Sequence, residues 1–161
     1  MIKRTVAFFA LLVLLFFSLT SCTSEKTFSY AELSIVLDSS FEELSSEQYD
    51  LVLEGDGMNV GLKRISLLAA VESGIPDTYS PERFAEYFLS KRGEDAEIFT
   101  YGDIPYFSLY ESVSGVEFYT LYTFYRSKYA YFIITFAAER QDEGKFREKF
   151  FEYANSVYFT S

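Results

Sequence analysis

The sequence predicts an α+β domain in which helices pack on an antiparallel β-sheet. Three long strand patterns follow one another at residues 106–113, 116–126 and 129–138, separated only by Ser114-Gly115 and Ser127-Lys128. Breaks this short join antiparallel neighbours directly, so the three strands form a meander in the C-terminal half. Two amphipathic helix patterns flank the meander and supply the second layer.

The chain before the meander opens with strands. Residues 33–37 are short and apolar, and residues 41–44 are typical of a helical turn. Residues 49–54 and 58–66 flank a Gly-Asp-Gly turn at residues 55–57. Glycine and aspartate supply the backbone freedom of a hairpin turn, so we expect these two strands to pair.

The first clear helix begins at Ser80. A serine able to cap free amides, Pro81 at the first helical position and Glu82 near the positive helix end are all start signals, and Gly93 ends the pattern. The preceding residues 67–71 fit either a continued strand or a helical turn.

The end of the chain repeats the alternation of strand and helix. Residues 97–101 form a strand pattern before a turn at residues 102–105, residues 142–155 form the closing amphipathic helix, and residues 157–159 form a last short strand. In the meander one strand face is wholly apolar and is the predicted core: Ala130, Phe132, Ile134, Phe136 and Ala138.

The amino-terminal segment has the layout of an export signal. Lys3 and Arg4 precede an apolar run at residues 6–17, which is too short to span a bilayer. The following Leu19-Thr20-Ser21-Cys22 resembles the lipobox of bacterial lipoproteins. That resemblance implies a diacylglyceryl group on Cys22 and cleavage before it. The alternatives are an ordinary secretory signal with a chance cysteine, or an uncleaved anchor.

These signals divide the chain into three parts. Residues 1–21 are the predicted signal peptide, residues 22–27 a lipidated tether, and residues 28–161 a single α+β domain. The predicted location is outside the cytoplasm, on the cell membrane or outer membrane of a bacterium, with the membrane as a partner through the lipid on Cys22. Two or three acyl chains anchor a protein durably, whereas one holds it only reversibly.

Charge and cysteine content set further bounds. Without Lys3 and Arg4 the chain keeps 12 basic and 24 acidic side chains, a net charge of −12. Phosphate backbones repel such a surface, so nucleic acid is excluded as a partner. Because Cys22 is the single cysteine, the domain has no disulfide and must be stabilised by packing.

Composition also removes most catalytic chemistry. The chain has no histidine, which excludes Ser-His-Asp triads, Cys-His pairs and histidine metal sites. We predict no catalytic residues, no metal site and no cofactor; an enzyme using carboxylates is the minor alternative. Two acidic clusters lack calcium-loop spacing and are predicted to be solvated turn charges: Glu54, Asp56 and Asn59, and Glu94, Asp95 and Glu97.

Tyrosine is the remaining candidate for recognition. Tyr119, Tyr125, Tyr129 and Tyr131 lie in or beside the meander strands, where they are predicted to face away from the core. Tyrosine buries a large area with few rotamers to restrict and keeps a polar hydroxyl, which suits a binding surface. Aromatic pairs across strands also stabilise sheets, and that reading stays open.

The element order resembles that of the Mog1/PsbP-like fold of small bacterial lipoproteins. The matching features are Phe28-Ser29-Tyr30 with an apolar strand, an early hairpin, the helix start at Ser80, the Gly102 turn into a meander, and a closing helix before Ser156-Val157-Tyr158-Phe159. Cystatin-like and nuclear-transport-factor-like domains are the alternative α+β folds.

The resemblance implies a binding or accessory role and carries no catalytic residue onto this chain. The expected function is a membrane-anchored, non-catalytic module of the cell envelope with an envelope protein as partner. The alternative is a lipoprotein that binds a small ligand or a sugar on a tyrosine-rich sheet face.

Overall fold

The computed structural model describes residues 24–160 and contains ten strands and three α-helices. The strands are β1 (Glu25–Tyr30), β2 (Leu33–Asp38), β3 (Glu42–Leu44), β4 (Leu51–Gly55), β5 (Met58–Ser66), β6 (Phe99–Tyr101), β7 (Ile104–Val113), β8 (Val116–Arg126), β9 (Ala130–Glu139) and β10 (Tyr158–Phe159). The helices are α1 (Leu67–Glu72), α2 (Pro81–Arg92) and α3 (Glu143–Asn155); a 3-10 turn, Arg140–Asp142, leads into α3.

The strands form two antiparallel sheets. The large sheet has seven strands in the order β3-β4-β5-β9-β8-β7-β6, and the small sheet has three in the order β1-β2-β10. In the large sheet the meander β7-β8-β9 pairs through β9 with the hairpin β4-β5. Chain segments far apart in sequence therefore meet in the centre of this sheet.

Two hairpins of the large sheet turn on residues with left-handed backbone angles. Asp56 and Gly57 have φ of 51° and 77° between β4 and β5, and Ser114 and Gly115 have φ of 53° and 84° between β7 and β8. Two successive positive φ values are typical of the type I′ turn, whose twist matches that of the paired strands. Both turns lie where the sequence predicts them.

Helix α2 begins and ends at its predicted signals. Ser80 Oγ accepts a hydrogen bond from the Arg83 amide at 3.2 Å, and Pro81 occupies the first turn. Gly93 ends the helix with φ of 69°, a conformation that costs glycine little.

One face of the large sheet carries the main core. Helix α3 and the small sheet pack on this face through Phe146, Phe150, Phe28, Leu33 and Ile35. The predicted core face of β9 lies here, from Ala130 to Ala138, and each of its five side chains is buried. We call this the α3 face.

The opposite face carries a second core, which the sequence does not predict. Helices α1 and α2 cover part of it, and Phe84, Ala85 and Leu89 of α2 pack against Phe107 and Phe124. We call this the α2 face. Because both faces of the meander are covered, β9 is buried along nearly its whole length.

The α+β fold class is confirmed, two local predictions need revision, and one open alternative is decided. Residues 41–44 were expected to form a helical turn, but Glu42–Leu44 pair with β4 as an edge strand. The ambiguous residues 67–71 belong to helix α1. Glu25, Lys26 and Thr27, expected in the tether, belong to β1 because they pair with β2. Residues 1–23, including Cys22 and the predicted signal, lie outside the described residues.

An ion pair connects α3 to the two sheets. Lys149 contacts the carboxylate of Asp38 at the end of β2 and lies 3.6 Å from the carboxylate of Asp56 in the β4-β5 turn. Burial disfavours the charged form of Asp38, but the hydrogen bond and positive charge of Lys149 outweigh it. The pKa of Asp38 is therefore held below its usual 3.8.

We expect the Asp38 contact to stabilise the fold at neutral pH and to be lost in acid. Because the pKa of Asp38 is lower in the folded chain, its stabilisation is complete above its unfolded pKa and disappears as the pH falls through the folded value. Chemical unfolding should show a gap between wild type and Asp38→Asn at about pH 7 that narrows at about pH 3. The exposed Glu47→Gln is the matched control, and a pH-independent gap for Asp38→Asn would contradict the prediction.

Candidate functional site

Part of the α2 face is left uncovered and forms a groove. Helix α2 ends at Arg92, and beyond it the sheet surface of β5, β8 and β9 is open. This sheet groove has a volume of about 440 Å³ and is lined by Gln48, Tyr49, Val52, Asn59, Val60, Gly61, Arg92, Glu111, Ser112, Val113, Phe118, Thr120, Tyr122, Thr135 and Ala137. Its volume lies within the range typical of small-ligand sites.

A change in side-chain size along the strands separates the groove from the covered surface. On β9 the bulky Tyr131 and Ile133 lie under the helices, whereas Thr135 and Ala137 of the same strand face lie in the groove. Gly61 pairs with Thr135 across the sheet and extends the row of small residues. The small side chains leave open volume where the helix layer stops.

One wall of the groove is Tyr49, which lies against the sheet because residue 61 is glycine. A Cβ atom at position 61 would come within 2.8 Å of Tyr49 Cε1 and 2.7 Å of Thr135 Oγ1. The backbone beside Tyr49 is also fixed. Its amide donates to Ser46 Oγ at 3.1 Å, and the next amide, that of Asp50, donates to the Leu62 carbonyl at 2.9 Å. The ring is therefore positioned as a groove wall before any ligand arrives.

The opposite wall is a hydrogen-bonded cluster of Arg92, Glu111 and Tyr122. The Tyr122 hydroxyl donates to both Glu111 carboxylate oxygens, at 2.9 Å and 2.8 Å, and Arg92 Nη2 donates to Glu111 Oε1 at 2.7 Å. The guanidinium also lies 5.1 Å from the centre of the Tyr122 ring. This wall links the end of α2 to β7 and β8.

The Tyr122 hydroxyl in this cluster stays protonated. Burial raises the pKa of the Tyr122 hydroxyl, and the hydrogen bonds to the Glu111 carboxylate raise it further. Tyr122 thus remains a neutral donor, and Glu111 is occupied as an acceptor for two neighbours. The arrangement suits the positioning of a rigid wall better than proton transfer.

Comparisons with known proteins identify the fold but no family. No family model matches the sequence, and no curated protein matches it. A crystal structure of a protein from Bacteroides thetaiotaomicron aligns with 84% of this chain at a TM-score of 0.60 and 12% identity. The alignment covers 48% of that protein, so this chain spans about half its length.

A second solved structure supports the predicted fold. The solution structure of CyanoP, the cyanobacterial PsbP of Synechocystis, aligns with 88% of this chain and 95% of its own, at a TM-score of 0.50 and 10% identity. The chain has the Mog1/PsbP-like fold. Mycobacterium tuberculosis LpqN, which is involved in cell envelope biogenesis, aligns with 86% of this chain and 91% of its own at 8% identity, with a TM-score of 0.47 that is too low to support an inference.

The fold does not bring the four predicted tyrosines to one surface. Tyr119 and Tyr125 lie on the α3 face and are 4% and 8% exposed, because α3 covers them. Tyr131 lies on the α2 face and is fully buried against Phe84, with ring centres 4.4 Å apart. Tyr129 lies beside the β8-β9 turn and is 57% exposed. The prediction that these residues face away from the core is therefore wrong for Tyr119, Tyr125 and Tyr131.

The buried hydroxyl of Tyr125 has a structural partner. It donates to the carbonyl of Ala154 in α3 at 2.8 Å. We expect Tyr125→Phe to lower the free energy of unfolding by about 1 kcal/mol, because it leaves that carbonyl without this donor. Urea unfolding measures the loss, and Tyr129→Phe at the exposed position should change stability by less than about 0.5 kcal/mol. Equal effects of the two variants would contradict the assignment.

Within residues 24–160 no group of three or more acidic, histidine or cysteine side chains is arranged to hold a metal ion. In the same part of the chain no helix combines the length and apolarity needed to cross a membrane.

The sequence analysis did not predict the groove, although one residue that forms it could have been recognised in the sequence. The tyrosines that line it are Tyr49 and Tyr122, and neither belongs to the predicted set. The readable signal is a glycine inside a strand pattern, which often marks close approach of another group to the backbone. Gly61 is such a residue in β5.

Proposed function

We propose that this chain is a lipid-anchored, non-catalytic binding module of the bacterial cell envelope and that the sheet groove is its binding surface. The observation that carries the proposal is the open part of the α2 face. Helices and the small sheet cover most of the large sheet, whereas this concave region with preset walls stays accessible. Such concave, largely preformed surfaces are the usual sites of ligand binding.

The anchor in this proposal rests on the amino-terminal sequence. Lys3 and Arg4, the short apolar run and the Leu19-Thr20-Ser21-Cys22 motif have the order of a lipoprotein signal. Lipid on Cys22 would place the domain at a membrane without any spanning helix. We therefore propose a location at the envelope, with the folded part outside the cytoplasm.

The non-catalytic part of the proposal follows from the groove chemistry. Within residues 24–160 the groove is lined by a single carboxylate, Glu111, which accepts from Tyr122 and Arg92. Acid–base catalysis needs a group free to gain or lose a proton near neutral pH, and glycoside hydrolysis needs two carboxylates. Neither requirement is met by the residues that line the groove.

Photo-crosslinking in living cells tests the binding surface. Val113 is a 59% exposed lining residue on the same strand face as Glu111, so p-benzoylphenylalanine placed there lies next to any bound partner. Leu68, which is 71% exposed and lies on α1 outside the groove, is the matched control position. We expect an adduct from position 113 and none from position 68. Absence of any adduct at position 113, or the same adduct at both positions, would refute the groove as the binding surface.

A separate experiment tests the anchor. Cys22→Ser removes the thiol that would receive lipid, so the protein should lose metabolic labelling by palmitate and its signal should remain uncleaved. The wild-type chain should incorporate label and fractionate with membranes. Equal labelling of the two forms would disprove lipidation at Cys22.

A further inference from the structure

The sheet groove is electrically balanced in a strongly acidic chain. Of the lining residues within residues 24–160, only Arg92 and Glu111 are charged, and they pair at 2.7 Å. The whole sequence carries a formal net charge of −10. A charged ligand would find no free counter-charge in the groove and would lose hydration on entry. The charge pattern therefore favours a ligand without net charge.

The groove alternates polar and apolar groups over short distances. The groove floor carries the hydroxyl groups of Thr120 and Thr135 and the methyl group of Ala137. On the paired strands β8 and β9, Thr120 lies opposite Ala137 and Tyr122 lies opposite Thr135. The two walls are the rings of Tyr49 and Tyr122. The Thr135 hydroxyl already donates to the Gly61 carbonyl at 3.2 Å, but a wholly apolar ligand would cover the Asn59 side-chain amide, which also lines the groove, and would remove its hydration.

A sugar ring has the matching surface. One face of a pyranose presents C–H groups that pack on an aromatic ring, and its edge presents hydroxyls that both donate and accept hydrogen bonds. The Tyr122 hydroxyl is engaged with Glu111 and the residue is 4% exposed, so the contacts open to a sugar come from the Tyr49 ring and the Asn59 side-chain amide. The volume of about 440 Å³ lies in the range of small-ligand sites.

We propose that the sheet groove binds a neutral saccharide of one to three residues, with Tyr49 as the stacking platform. This inference rests on the proposed binding role of the groove and specifies its ligand class. The absence of a side chain at Gly61 lets the Tyr49 ring lie against the sheet, so the platform is formed before the sugar arrives. Preorganisation of this kind lowers the ordering cost of binding.

Calorimetric titration of the full-length chain, kept in a sugar-free zwitterionic detergent, tests the ligand class. The neutral probes are maltotriose, cellotriose and tri-N-acetylchitotriose, and trigalacturonate is the acidic probe of similar size. We expect at least one neutral probe to bind, binding to weaken about tenfold or more in Tyr49→Ala, and Tyr129→Ala to leave it unchanged. Tyr129 is exposed outside the groove, which makes it the matched control.

A second variant guards against misfolding of Tyr49→Ala. Ala137→Phe adds a ring above the groove floor, and it should abolish binding while the thermal unfolding midpoint stays near that of wild type. Stronger binding of trigalacturonate than of every neutral probe, or equal losses in Tyr49→Ala and Tyr129→Ala, would overturn the inference. Failure of all probes combined with a protein adduct at position 113 overturns the saccharide and leaves the proposed function standing. If no saccharide probe binds and the crosslinker gives no adduct, both the saccharide inference and the proposed function are overturned.

Discussion

Replacing Phe150 by alanine is expected to lower the free energy of unfolding by about 3–5 kcal/mol. Phe150 on α3 is fully buried, and its ring lies 5.7 Å from that of Phe136 and 6.1 Å from that of Tyr119. The substitution removes these contacts and leaves a cavity between helix and sheet, which neighbouring rings cannot fill without leaving their rotamers. Guanidinium unfolding followed by circular dichroism measures the change.

The matched control for Phe150 is Phe99 on the edge strand β6. Phe99 is 49% exposed, so the same truncation to alanine should cost less than about 1 kcal/mol. A comparable loss for the two variants would show that α3 is not the main support of the α3 face. A native-like unfolding midpoint for Phe150→Ala would have the same meaning.

The second large effect is expected at Gly61, where alanine should both destabilise the fold and open the groove wall. The added Cβ would lie 2.8 Å from Tyr49 Cε1 and 2.7 Å from Thr135 Oγ1, closer than ordinary contact. Overpacking of this kind costs about 1–3 kcal/mol. Thr135 Oγ1 is held by its hydrogen bond to the Gly61 carbonyl, whereas the Tyr49 ring can turn away about its side-chain torsions, so we expect the ring to leave the sheet. Groove binding should therefore weaken by more than the stability loss alone explains.

Gly144 in α3 is the matched glycine. A Cβ at this position meets no atom within 4 Å, and alanine favours a helix over glycine by up to about 1 kcal/mol. Gly144→Ala should thus be neutral or stabilising, opposite in sign to Gly61→Ala. Thermal unfolding of both variants, with the titration described for the saccharide probes, measures the pair. Destabilisation of the same size in both would remove the special role of the Gly61 contact.

Local signals in the sequence predict the elements well. The Ser80 cap, Pro81 and the Gly93 stop act within a few residues, and they place both ends of α2 correctly. The same holds for the Ser114-Gly115 turn of the meander. These signals work because the energies that decide a cap or a turn depend on nearby backbone groups.

Properties that depend on distant segments were not predicted. Periodicity shows that Tyr131 and Tyr119 lie on opposite strand faces, but it does not show that helices cover both faces. Glu42–Leu44 became a strand because β4 offers it a hydrogen-bonding edge, whereas the segment alone has a helical pattern. The groove likewise depends on where α2 ends relative to β9, a distance set by tertiary packing.

The pairing of β1 from Glu25 onward has a consequence for the reach of the molecule. If Cys22 carries lipid as proposed, three peptide steps join the acyl chains to the first paired residue, at most about 10–11 Å of extended backbone. The domain would then diffuse in the plane of the bilayer, held close to its surface, and would not sample the surrounding compartment. Its encounters would be two-dimensional, and the molecules it meets would be those displayed within a domain's width of the lipid surface.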